Sequence, residues 1–115
     1  MFTDWVSPVT GRVVRLHWNS RIARLFGGVN NCITVSASHI LISRDWITAR
    51  GLAHEDGHTV QASRRGLLYI PWILWCYATQ GYAKSTPEVQ ADIAMNANAS
   101  KYQPIGPVPS YVVDK

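Results

Sequence analysis

The spacing of apolar and polar positions predicts the elements in chain order. Residues 1–10, MFTDWVSPVT, show no sustained period and predict an irregular lead-in. In GRVVRLHW, residues 11–18, β-branched residues follow a glycine and predict a short strand. Asn19 to Phe26 predicts a short helix: Ser20 can cap it, and Ile22, Leu25 and Phe26 recur at helical spacing. Gly27-Gly28 ends it, and Asn30-Asn31 continues the turn. CITVS (32–36) and HILIS (39–43) are rich in β-branched residues and flank Ala37-Ser38. They predict a hairpin or one bulged strand.

Asp45 to Arg65 predicts a central helix, with Asp45 capping its first turn or Thr48 starting it later. Leu52, Val60 and Ala62 are its apolar positions, and Arg64 and Arg65 suit its negative end before Gly66 at C′. Gly51 and Gly57 fall inside it. Each costs about 1 kcal/mol relative to Ala, so each points to close approach of another backbone or a ligand. Pro71 opens a second helix, 71–80, ended by Gly81. Thr86 at N-cap and Pro87 at N1 open a third, 87–100. The Pro-rich stretch 104–115 predicts an extended surface tail. The expected fold class is α+β: a small antiparallel or mixed sheet, then a central helix and two further helices, in one domain over 1–103.

Composition narrows the class. A chain of 115 residues, 47% apolar, supports one domain with one modest core. Charged residues make up 16%, below the usual ~25%, which predicts a surface rich in uncharged polar and aromatic groups. The net charge of +4 is weakly suited to an acidic partner. The arginines 12, 15, 21, 24, 44, 50, 64 and 65 form no block, so no nucleic-acid partner is expected. Cys32 and Cys76 are too few and too distant for a disulfide framework or zinc ribbon, and read as buried free thiols. The N-terminus lacks the pattern of a secretory signal, so a cytoplasmic setting is expected. The run Leu67–Ala78, LLYIPWILWCYA, is broken by Pro71 and falls short of the ~20 residues of a spanning helix. It predicts a buried core helix rather than a membrane contact.

The chemistry concentrates at HEDGH, residues 54–58. His54 and His58 are four residues apart, about 400° along a helix, so both imidazoles point to one side. Both can reach one metal ion. Glu55 lies about 100° round from His54, beside the metal but off it. There it can take a proton from a water whose pKa Zn²⁺ lowers to about 7. A shuffled chain of this composition gives HExxH about 0.002 times, so chance is not a serious rival. Catalytic zinc sites use three protein ligands. Glu88, in TPEVQAD, is the only other Glu in the chain, and Asp92 follows it by one helical turn. Glu88 is the expected third ligand, with Asp92 accepting the other N–H of a ligating histidine or, alternatively, serving as the ligand itself.

HEDGH followed by PEVQAD resembles the gluzincins, the zinc metallopeptidases with thermolysin as prototype. Their pattern is HExxH and then a later helix bearing ExxxD. The resemblance implies His54, His58 and Glu88 as zinc ligands, Glu55 as general base and Asp92 as the carboxylate supporting a histidine. It implies a peptide or protein substrate lying extended along an edge strand, expected at residues 39–43. HEDGHTVQ is also similar to compact minimal metallopeptidase-like domains of bacteria and phages, in which a small sheet precedes the active-site helix. A phage origin would imply the virion or host-cell cytoplasm. The chain is far smaller than thermolysin-like enzymes and shows no second lobe. The oxyanion stabiliser of such enzymes has no motif to match: Tyr69, Tyr77, Tyr82 and His39 are candidates. His17 and His39 otherwise read as ordinary strand histidines. Trp72, Trp75 and Tyr77 read as core packing or as a side-chain pocket, and the tail as a cover for the cleft.

Readings from other classes stand beside this one. A catalytically inactive zinc-binding structural or interaction protein would close its site with a fourth ligand, His39 or Cys76. An adaptor would use the aromatic run 67–78, and a nucleic-acid binder the net positive charge.

Overall fold

Alternation in FTDWV turns the expected lead-in into a strand. The computed structural model describes residues 2–27 and 31–106. Strand β1, Phe2–Val6, pairs antiparallel with β2, Val13–His17, from Phe2↔His17 to Val6↔Val13. Its odd-numbered Thr3 and Trp5 are half-buried while Phe2, Asp4 and Val6 are exposed, a period of two that Pro8 ends. Trp18 Nε1 donates to Thr3 Oγ1 at 2.8 Å. Helix α1, Arg21–Gly27, begins where expected, with the Ala23 amide donating to Ser20 Oγ at 3.2 Å. Residues 28–30, where a turn is expected, lie outside the described residues.

Strands β3, Cys32–Ser36, and β4, His39–Ile42, form the expected hairpin, antiparallel, with a register shift between Thr34 and Ser36. β4 then pairs in parallel with β2, Arg15↔His39 through His17↔Leu41. The sheet is mixed, in the order β1-β2-β4-β3. This moves the edge. The expected edge strand, 39–43, is interior, because the hairpin turns β4 inward onto β2 and leaves β3 outermost.

Helix α2, Ala49–Arg65, starts later than Asp45. Ile47 is held extended by paired bonds with Ile105, N–H to O at 3.0 and 3.2 Å, so the helix can begin only after it. Thr48 caps it, its hydroxyl accepting from the Gly51 amide at 3.0 Å. Gly66, at φ 56°, ends it. A 3₁₀ turn, Gly66–Leu68, leads into α3, Tyr69–Gln80. Pro71 sits in the first turn, where its missing N–H has no intrahelical partner to lose. Helix α4, Thr86–Asn98, starts one residue before the expected position, with Ser85 at N-cap but without a side-chain capping bond. The Thr86 amide donates to Gln80 Oε1 at 2.6 Å, so α3 secures the start of α4.

The helices cover one face of the sheet, giving an α+β fold in two layers. The main core joins Val14, Leu16, Ile40 and Ile42 of the sheet to Leu52 and Ala53 of α2, closed by Ile47 and Tyr102. Ile105, expected in the free tail, packs against this core; residues 107–115 lie outside the described residues. A smaller cluster, Ala62, Tyr69 and Ile73, holds α3. The run 67–78 is not the buried helix expected. Within it only Tyr69, Ile73 and Cys76 are buried, because α3 has one covered side. No helix among the described residues is long and apolar enough to cross a membrane.

Gly57 does what a helix-interior glycine predicts. A Cβ there would lie 3.2 Å from Ala91 Cα, so α2 and α4 touch through it. That contact brings the first turns of α4 against the histidine face of α2. A Cβ on Gly51 would lie 3.1 Å from Thr48 Oγ1, the helix's own cap.

Candidate metal centre

The helical spacing of His54 and His58 places their rings 4.9 Å apart, edge to face. The first turn of α4 presents Glu88 to both. His54 Nε2 lies 3.1 Å from Glu88 Oε1, and His58 Nε2 lies 3.0 Å from Glu88 Oε2. One ligand atom from each of the three falls within 4.8 Å of the others, so the group could hold a metal ion. Among the described residues this is the one such group. Neither His39 nor Cys76 joins it. Asp92 does not either: its Oδ1 meets the far nitrogen of His54, Nδ1, at 2.9 Å.

The orientation of each ring is fixed from behind. His58 Nδ1 lies 2.9 Å from Gln61 Oε1. The amide nitrogen of Gln61 donates to Pro87 O at 2.9 Å and Gln90 Oε1 at 3.1 Å, which leaves its oxygen for His58. In its neutral form His58 therefore carries its proton on Nδ1 and turns the Nε2 lone pair to Glu88. Asp92 imposes the same on His54.

This creates a deficit of positive charge. Four ring nitrogens face four oxygen acceptors, whereas two neutral imidazoles carry two N–H protons. A cation must stand between the Nε2 atoms and Glu88, either protons or a metal. In the metal-free protein protons are drawn in. Burial opposes the charged form of His58, yet its bond to Glu88 and the charges of Glu55 and Glu88 outweigh this and raise its pKa to about 9. His54 is raised by the same balance of opposed burial and favourable contact with Glu88. Burial works to raise Glu88, but its bonds to His54 and His58, the His58 charge and the Tyr77 hydroxyl hold it well below the usual carboxylate range. A divalent ion would replace these protons, so the donor set fits one.

Glu55 is 8% exposed and stands beside this group rather than in it. Thr34 of β3 donates to it, with Oγ1 2.9 Å from Oε1. Burial raises its pKa, opposed by the charges of His58 and His54 and by the Thr34 bond. Tyr77 donates to Glu88 Oε2 at 2.7 Å, so its hydroxyl holds that carboxylate in place. Tyr82 packs edge to face on Tyr77 at 5.0 Å. Its ring is 61% exposed, yet loss of water contact, then the charges of Glu88 and Glu55, push its pKa up to about 12, so it stays a donor. Tyr69 is buried, its hydroxyl 3.4 Å from Thr34 O.

These groups share one groove of about 680 Å³. Glu55, His58 and Glu88 lie in its wall, with Tyr69, Tyr77 and Tyr82. Cys32–Val35 of β3 and apolar residues of α1 and α3 complete the lining. His39, the fourth oxyanion candidate, is elsewhere: its Nδ1 lies 2.9 Å from His17 Nε2, and the rings stack at 5.2 Å across β2 and β4. Trp72 and Trp75 do not line the groove either; Trp72 stacks on Arg65, 3.5 Å from guanidinium carbon to ring centroid. Cys32 does line it, but burial and then the Glu55 charge push its thiol up to about 12, which keeps it protonated and a poor nucleophile.

Residue-by-residue reading missed Thr34, Gln61 and Asp56. Thr34 is the buried position of an alternating strand, and Gln61 follows His58 by three residues on the same face; both signals are weak alone. Asp56 lies on the side of α2 turned away from His54 and His58. Ser7 and Tyr102 donate to its Oδ2 at 2.5 and 2.6 Å, and Thr59 Oγ1 lies 2.7 Å from Oδ1. No family model matches the chain, and no curated protein or solved structure matches it.

Proposed function

We propose that this protein is a zinc-dependent metallopeptidase of gluzincin type. The observation that carries the reading is the convergence of His54 Nε2 and His58 Nε2 on Glu88, with a buried carboxyl, Glu55, beside them in an open-sided groove. Two imidazoles and one carboxylate are a donor set suited to zinc. Three protein ligands leave a coordination position open, unlike a closed structural site. When bound, Zn²⁺ supplies Lewis acidity, polarising a scissile carbonyl and acidifying a water molecule.

The remaining work falls to this chain's own residues. Glu55 takes the proton of the attacking water and delivers it to the leaving amine. Its raised pKa suits both halves of that exchange, and Thr34 fixes the oxygen that does not receive the proton. Tyr82, a protonated phenol on the groove wall, is the best placed of the four candidates to donate to the oxyanion. Tyr77 is committed to Glu88. The substrate backbone adds to β3, the edge strand, and its side chains meet the apolar wall of α1 and α3.

Replacing Glu55 with Gln tests this. Zinc content, measured by elemental analysis, is expected to persist, while hydrolysis of an unstructured protein falls about 10²–10⁴-fold. Full activity in that variant would remove Glu55 from the mechanism.

A further inference from the structure

The groove's outer rim is apolar where a water-facing surface is expected. Helix α3 is apolar on both sides. Tyr69, Ile73 and Cys76 face the core. Pro71, Leu74, Trp75 and Ala78 stand at i, i+3, i+4 and i+7 on the opposite side, and all are exposed. Leu67, in the 3₁₀ turn before them, is 99% exposed, and Trp75 is 69% exposed. Across the groove mouth, α1 exposes Leu25 and Phe26. Ile22 and Phe26 of α1 and Ile70 and Leu74 of α3 line the same groove, so the two exposed surfaces belong to one rim.

The stretches of chain that build this rim carry basic charge only. The chain holds no acidic residue between Asp4 and Asp45, nor between Asp56 and Glu88. Those stretches build α1, β3 and α3. Arg21 of α1 and Arg64 at the end of α2 are exposed, and Arg65 lies flat on Trp72 of α3. An apolar stripe with interfacial tryptophan and flanking arginines is the pattern of a helix lying in the headgroup region of a bilayer. At 12 residues α3 is too short to span one. A second copy of the chain is a poorer occupant, because symmetric pairing of this face would oppose arginines to arginines.

We infer that the α1–α3 rim docks on an anionic lipid surface, with Leu67, Leu74 and Trp75 entering the interface and Arg21, Arg64 and Arg65 meeting the headgroups. Docking stands on these residues alone. A consequence, that the groove takes peptide segments held at the membrane, rests on the peptidase reading above.

Co-sedimentation of the full chain with vesicles tests the docking. Phosphatidylcholine vesicles containing phosphatidylglycerol are expected to bind it at least about tenfold more tightly than phosphatidylcholine alone, with binding weakening as salt rises. The Leu74→Ser/Trp75→Ser variant, changed only at exposed positions, is expected to lose about tenfold or more. Arg64→Glu/Arg65→Glu is expected to lose the preference for anionic vesicles. The same measurements on Glu55→Gln are expected to match the parent, so a failure of docking is separable from a failure of catalysis. The inference is overturned if neither vesicle binds the chain, if Leu74→Ser/Trp75→Ser binds as the parent does, or if the chain forms a lipid-free dimer that those two substitutions dissolve.

Discussion

Glu55 and Asp56 are neighbours in sequence, both nearly free of solvent contact, and about 100° apart round α2, where they meet different partners. Asp56 is surrounded by three hydroxyls, from Ser7, Thr59 and Tyr102, each within hydrogen-bond distance. Ser7 also accepts from the amides of Val9 and Thr10, so its own proton is free only for Asp56. Glu55 receives one hydroxyl, from Thr34, and faces a groove. Burial is therefore no guide to role. The number of donors is: a buried acid whose acceptor capacity is filled holds elements together, and one left partly unfilled is available for proton transfer.

The sharpest test substitutes the two in parallel. Glu55→Gln is expected to cost about 10²–10⁴-fold in turnover and little stability. Asp56→Ala strands the hydroxyls of Ser7 and Tyr102, while Thr59 keeps the Asp56 carbonyl at 2.7 Å, and it severs the lead-in and Tyr102 from α2. It is expected to cost about 3 kcal/mol in urea unfolding, while the protein that remains folded keeps its metal. The comparison breaks if Asp56→Ala leaves stability intact or if Glu55→Gln unfolds the chain.

Gly57, the next residue, lies at the seam between α2 and α4. Its missing Cβ allows Ala91 to approach, and so sets where Glu88 meets the histidines. Gly57→Val is expected to destabilise by about 1–3 kcal/mol through overpacking. It is also expected to weaken zinc binding, read by competition with a chelating dye. A stability loss with zinc affinity unchanged would show that the seam does not position Glu88.

On the metal side the finest distinction is between ligands and the groups behind them. Gln61→Leu keeps the side chain's size but removes the acceptor that fixes His58. It is expected to weaken zinc about 10–100-fold, whereas His58→Ala abolishes tight binding. If Gln61→Leu binds zinc as the parent does, the orientation of His58 is set by packing instead.

The sequence carried these sides unequally. His54, His58, Glu88 and Asp92 were legible because helical periodicity converts their spacing directly into geometry, and the structure brings all four together. The elements from β2 to α4 were legible for the same reason. Asp56 was not, because its partners come from residues 7 and 102, and no local period reports a contact across such separations. The edge strand was misplaced for a related reason: strand order depends on which neighbour β4 adopts, and β2 lies more than twenty residues before it. The exposed side of α3 was misjudged because an all-round apolar helix reads as core whether or not anything covers it.

The smallest expected effect concerns where α2 begins, which two residues contested. Asp45 and Thr48 both suit an N-cap by type. The bridge between Ile47 and Ile105 settles it by holding the chain extended up to residue 47, so Thr48 takes the cap and Asp45 stands a turn too early. Thr48→Ala is then expected to cost about 1 kcal/mol in urea unfolding, and Asp45→Ala close to nothing. Since α2 carries both Glu55 and Asp56, fraying at its start loosens both, and zinc affinity and stability should fall together in Thr48→Ala. A loss of either without the other would mean that the two sides of the helix draw their rigidity from different neighbours, β3 and α4 for Glu55 and its histidines, the lead-in and Tyr102 for Asp56.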